Sequence, residues 1–170
     1  FNVGRSGTRG TVTVDGATTT LKVEDFVRIG RDGALGTMNV QNGGTVNNNT
    51  SANLLDDGVT RVGENGGTGT LDINTGGKYF AKVVANGLTG TGTIRVASGG
   101  NLSATTIHNG ANGTLTGGGG SINATVNNMG SGTIAAGDSP GLMEIFGNLN
   151  LNGMGTVEIE LGGTVFDTGI

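Results

Sequence analysis

The sequence has no cysteine and no tryptophan, a single proline, and aromatic residues at only 4% of positions. The missing cysteines exclude a disulfide framework and any thiolate-held metal. Few aromatics, with charged residues at only 13%, leave little material for a bulky core or a densely charged surface. Bases are absent from the second half. Residues 1–95 carry nine Lys and Arg against eight acids, whereas residues 96–170 carry five acids and no base. The net charge of −4 argues against nucleic acid, and the base-free second half is a poor candidate for binding DNA or anionic lipid. No apolar run approaches the roughly 20 residues that a membrane-crossing helix needs. The chain opens on Phe1 without a signal peptide and is expected to be a fragment of a longer protein.

What is abundant is glycine, at 37 residues, with 25 Thr and 19 Asn. Glycine here has no G-X-Y period, which excludes collagen. Disorder would suit the composition, but not the regular spacing of Val, Ile and Leu. A Gly-Thr-apolar-x-apolar segment recurs at Gly10–Val14, Gly36–Val40, Gly69–Ile73 and Gly92–Val96. It degrades at Gly113–Gly117 and Gly132–Ala136 and returns at Gly155–Ile159. The glycines are 26, 33, 23, 21, 19 and 23 residues apart, lengths that suit the coils of a solenoid. Each copy alternates apolar and polar residues, so its apolar pair faces one side of a strand. Glycine corners follow at Asp15-Gly16, Asn42-Gly43-Gly44, Thr75-Gly76-Gly77 and Ser98-Gly99-Gly100. A second short strand comes next, at 20–23, 45–47 and 101–104. In the early coils a third strand is expected within 26–33 and 59–66.

These features predict an all-β parallel β-helix of about seven coils, with two to three short strands per coil and essentially no α-helix. The whole chain is expected to form one solenoid domain. One coil cannot bury its own apolar face, whereas coils stacked about 4.8 Å apart line up equivalent residues. Val12, Met38, Leu71, Ile94, Leu115, Ile134 and Val157 then form one interior column, and Val14, Val40, Ile73 and Val96 the next. The 33-residue copy contains an insertion, 51–58, expected to loop outside the stack.

The segment 132–163 holds the turn Gly137-Asp138-Ser139-Pro140-Gly141, strands at 142–146, 149–151 and 157–161, and a closing Gly162-Gly163. It resembles a segment common in the passenger regions of autotransporters, the type V secreted proteins of Gram-negative bacteria. Upstream, 29–44 and 62–77 resemble the same repeats. The resemblance implies a right-handed β-helix, export to the cell surface, and a role in adhesion or surface structure.

Chemistry is sparse. Asp72 and Arg95 occupy outward positions of neighbouring coils and should sit side by side. The plain reading is a surface ion pair worth about 0–1 kcal/mol, and the sharper one a catalytic pair. Arg28 and Arg61 occupy matching positions of the third strand, where stacked cations could receive an anionic glycan. Neutralisation by Glu24, Asp25, Asp32 or Glu64 is the competing reading. Glu158 and Glu160 share a strand face with no base nearby. His108, the only histidine, has no partner for a transition-metal site. Asp56 and Asp57, with Asn53, offer oxygen ligands for calcium, but the calcium-binding nonapeptide is missing. The glycines at 117–120 lack the Lys-Ser/Thr of a phosphate loop. A threonine column could order ice, but the adjacent column mixes Thr13, Asn39, Asp72 and Arg95.

Two functions remain. The first is a non-enzymatic structural or adhesive stalk, secreted or on the cell surface, touching a host or neighbouring cell or its glycans, without cofactor or metal. It could associate with further copies end to end or laterally. The second is a carbohydrate-active or glycan-binding β-helix, for which Tyr79 and Phe80 are the only adjacent aromatics.

Overall fold

The computed structural model describes residues 1–49, 58–97, 99–137 and 141–159. The chain winds through β1 (Asn2–Arg5), β2 (Arg9–Asp15) and β3 (Thr20–Lys22), then β4 (Val27–Arg31), β5 (Leu35–Gln41) and β6 (Thr45–Asn48). Next come β7 (Val59–Glu64), β8 (Thr68–Ile73) and β9 (Lys78–Ala81), followed by β10 (Val83–Asn86), β11 (Thr91–Ala97) and β12 (Asn101–Asn109). The last are β13 (Gly113–Gly118), β14 (Gly120–Gly130), β15 (Thr133–Ala135), β16 (Met143–Ile145), β17 (Leu149–Gly153) and β18 (Thr156–Glu158). No helix occurs among the described residues. Every ladder between these strands is parallel, and the chain is a parallel β-helix of about six turns.

The Gly-Thr segments form the first face, a seven-stranded sheet in the order β2, β5, β8, β11, β13, β15, β18. Thr11, Thr37, Thr70, Thr93, Thr114, Thr133 and Thr156 stand in one row. The register therefore follows the glycine spacing of the sequence. The apolar column from Val12 to Val157 forms as expected, and Val14, Val40, Ile73 and Val96 stack beside it. That second column then meets Gly117, where the side chain of Met143 occupies the space.

The remaining strands make two further faces, so the cross-section is three-sided. The second face stacks β3, β6, β9, the start of β12, the start of β14, and β16. The third stacks β1, β4, β7, β10, the end of β12, the end of β14, and β17. A third strand thus exists in the later coils too, where the sequence pattern suggested two. In β12 and β14 one long strand carries both faces around a corner, with a register shift between Ser103 and Thr106. Met38, Leu71, Ile94, Leu102, Ile107 and Ile122 are fully buried, each worth about 1.5–3 kcal/mol. In the last described layer, Leu149, Leu151, Val157 and Ile159 are exposed.

The 33-residue coil keeps this register. Asn48 pairs with Ala81, and Val59 with Val83. Residues 49–58 intervene where the next coil has only Lys82. The expected loop at 51–57, with Asn53, Asp56 and Asp57, lies outside the described residues, as does Ser98.

The corner after the first face turns through left-handed backbone at Asn42 (φ 52°) and, one coil on, at Thr75 (φ 45°). A β-branched residue is strained there, whereas asparagine adopts this region readily. Thr75→Asn should therefore stabilise the chain by roughly 0.5–1 kcal/mol, read as a higher urea midpoint. A lower midpoint would mean that the threonine side chain holds something in place.

Candidate functional site

The third face brings together the densest charge among the described residues. Arg28 of β4 and Arg61 of β7 are direct neighbours across the ladder, as their matching positions imply. The ring of Phe26 lies against both guanidinium groups, 3.9 Å from Arg28 and 4.9 Å from Arg61. Such stacking holds a guanidinium flat and in place. Glu64 ends β7 and is only 9% exposed. Its Oε1 lies 2.6 Å from Arg61 Nη1, and its Oε2 lies 3.2 Å from Arg28 Nε and 3.3 Å from Arg31 Nε. Asp32 Oδ2 takes Arg31 at 3.2 Å and Arg5 at 3.8 Å, and its Oδ1 accepts from Asn65 Nδ2 at 3.0 Å.

Of the four acids that could neutralise Arg28 and Arg61, Glu64 does so. Asp32 serves Arg31 and Arg5, and no ion pair of Glu24 or Asp25 is found among the described residues. Four arginines share two carboxylates, a surplus of two positive charges (4 − 2). Sequence reasoning missed Arg31 and Phe26. Arg31 is legible in hindsight because it stands opposite Glu64 in the ladder, and Phe26 because it lies just before β4, two residues ahead of Arg28.

In the row that runs through Arg28 and Arg61, the next residue is Ala85. The short side chain lines a recess of about 240 Å³, with Arg61, Glu64, Asn65, Leu88 and Thr89 also in its walls. Thr89 Oγ1 accepts from the Asn65 backbone N–H at 3.0 Å, which fixes the rim.

On the first face, Asp72 and Arg95 sit side by side as expected, with Arg95 Nη1 donating to Asp72 Oδ1 at 3.4 Å. The same nitrogen makes a shorter bond, 2.8 Å, to Asn74 Oδ1. Both side chains are about one-third exposed, so the ion pair is worth little. His108 lies in β12 between Ala85 and Asn127 on the third face, half-buried. No group of three metal-ligating side chains occurs among the described residues. Glu158 is exposed in β18, while Glu160 and the Asp138–Pro140 part of the turn lie outside the described residues.

Tyr79, with Phe80 the only adjacent aromatic pair available to a glycan-binding reading, points inward and is fully buried, in a column with Leu21, Val46, Leu102 and Ile122. The interior can take its hydroxyl because the facing wall carries Thr60. Tyr79 and Thr60 hydroxyls are 2.8 Å apart, and Asn48 Nδ2 donates to Thr60 Oγ1 at 3.1 Å. Burial raises the phenol pKa well above its ordinary value, with the Thr60 hydrogen bond offsetting this slightly. A raised folded-state pKa means that the unfolded chain releases the proton first. Stability should therefore hold below about pH 10 and fall as pH rises beyond it. As Tyr79 is the only tyrosine, tyrosinate absorbance reads it alone. The native chain should show none at about pH 11, and the urea-unfolded chain should titrate near 10. Ordinary titration of the native chain would contradict the buried placement.

No family model, no curated protein and no solved structure matches the chain.

Proposed function

We propose that the chain is a non-enzymatic structural or adhesive stalk of a secreted or cell-surface bacterial protein. The observation that supports this reading best is the parallel stacking of all three faces from β1 to β18, with a single register shift at the β12–β14 corner. Stacked layers at about 4.8 Å make a stiff rod of roughly 30 Å, whose length grows with each added coil. Such a rod holds a binding surface at a fixed distance from its anchor. The resemblance of the 132–163 segment to autotransporter passengers points the same way.

Electron microscopy and small-angle scattering of the purified chain test this. Straight rods, single or joined end to end into filaments, are expected. A second test is a panel of neutral and acidic polysaccharides assayed for depolymerisation. Cleavage would overturn the stalk reading in favour of a carbohydrate-active β-helix, and loss of cleavage in Asp72→Asn would then place the site at the Asp72–Arg95 pair.

A further inference from the structure

We propose that the recess beside Arg61 binds a carboxylate-bearing sugar unit, an inference that rests on the adhesive reading and gives it a contact point. Three features of the third face converge on this ligand. The first is charge. The cluster of Arg5, Arg28, Arg31 and Arg61 carries two more positive charges than Asp32 and Glu64 return. Arg61 borders the recess with its side chain 34% exposed, and a guanidinium has five N–H donors, enough to keep Glu64 and still grip an incoming carboxylate.

The second is rigidity. The Phe26 ring and the 2.6 Å contact with Glu64 fix the Arg61 guanidinium before any ligand arrives. A preformed donor loses little side-chain entropy on binding.

The third is shape and lining. At about 240 Å³ the recess is smaller than the roughly 300–1,000 Å³ typical of drug-sized ligands, and suits a single ring. Ala85 and the 45% exposed Leu88 offer an apolar surface to the C–H side of a sugar, while Thr89 and Asn65 place polar groups at the rim for hydroxyls.

Other acidic partners fit less well. Nucleic acid binding draws on many phosphate contacts, and two surplus charges on a chain of net −4 supply few. An acidic peptide would most readily add to a free strand edge, but β7 and β10 are paired on both sides.

Calorimetry with the 170-residue chain tests the proposal, using trigalacturonate, its methyl ester and poly-glutamate as probes. The free acid should bind, and the ester and poly-glutamate should bind at least about tenfold more weakly. Arg61→Gln should weaken trigalacturonate binding by about tenfold or more. Ala85→Leu fills the recess without changing charge and should do the same, covering the case in which loss of Arg61 disturbs the fold. Arg95→Gln, on the first face, should bind like the parent chain. Equal binding of acid and ester, full binding by Ala85→Leu, or no binding of trigalacturonate would overturn the site. Rods that bind nothing would remove the site and leave the stalk, whereas binding followed by release of new sugar ends would keep the site and remove the stalk.

Discussion

Gly63→Ala is expected to cost more than about 4 kcal/mol, enough to unfold a chain of ordinary stability, while Gly66→Ala should cost only about 1–2 kcal/mol. The two glycines have nearly the same positive φ, 71° and 72°. What differs is the space around them. A Cβ on Gly63 would lie 2.1 Å from the Thr91 carbonyl oxygen and 2.4 Å from its carbon, whereas a Cβ on Gly66 meets nothing within 4 Å. Thr91 belongs to β11, which follows in the winding, so the clash is with backbone that no rotamer change can move. Relief would require the rungs to separate and break their hydrogen bonds. Gly66→Ala therefore measures the strain of positive φ alone, and the difference between the variants isolates the clash. Denaturant midpoints followed by far-ultraviolet circular dichroism provide the comparison. Equal costs would show that the corner can yield, and that close approach is not what demands glycine. Gly30 meets the same obstacle one coil earlier, its Cβ position lying 2.0 Å from the Thr68 carbonyl oxygen.

A second large effect is expected at Asn109. In the third face an inward column runs Val3, Ile29, Val62 and then changes to Asn86, Asn109 and Asn128. All three asparagines are fully buried. Asn86 Nδ2 donates to Asn109 Oδ1 at 2.7 Å, and Asn109 Nδ2 donates to Asn128 Oδ1 at 2.8 Å. The same amides reach backbone carbonyls, Thr114 from Asn86, Thr133 from Asn109 and Gly132 from Asn128. Asn109→Val keeps the volume close to that of Val62 but takes one of two acceptors from the Asn86 amide and leaves the Asn128 carbonyl oxygen without its donor. Each group left short of a partner costs roughly 1–3 kcal/mol, so a loss of about 3–5 kcal/mol is expected. Asn86→Val should cost less, because Asn86 stands at the head of the ladder and its Oδ1 has no partner to lose. Equal losses in the two variants, measured by urea unfolding, would show that the amides act independently.

These two features explain what the sequence revealed. The first face was legible because a Gly-Thr-apolar segment marks every coil, and its glycines set the register without knowledge of the other faces. The third face of the later coils was not, because one of its two inward columns is asparagine, beside the apolar column of Val84, Ile107 and Val126. Period-two reasoning takes an apolar residue as the sign of an inward position, and Asn86, Asn109 and Asn128 invert that sign while satisfying each other. The inward position of Tyr79 was not legible for a related reason, since its hydroxyl is tolerated inside because Thr60, from another face, meets it. The ion pair of Asp72 with Arg95 and the stacking of Arg28 on Arg61 followed from coil alignment alone. The recess beside them did not, since it depends on how Leu88 and Thr89 turn the next corner.

The coil between Thr37 and Thr70 has a further consequence. Its rungs at Asn48 and Val59 rejoin the ladder in the places that the shorter coil above assigns to Ala81 and Val83. Chain length at this corner is thus uncoupled from the order of the layers. Peptide of other lengths should fit at this corner while the rungs on either side keep their partners. The same property suits the corner to the display of an engineered epitope.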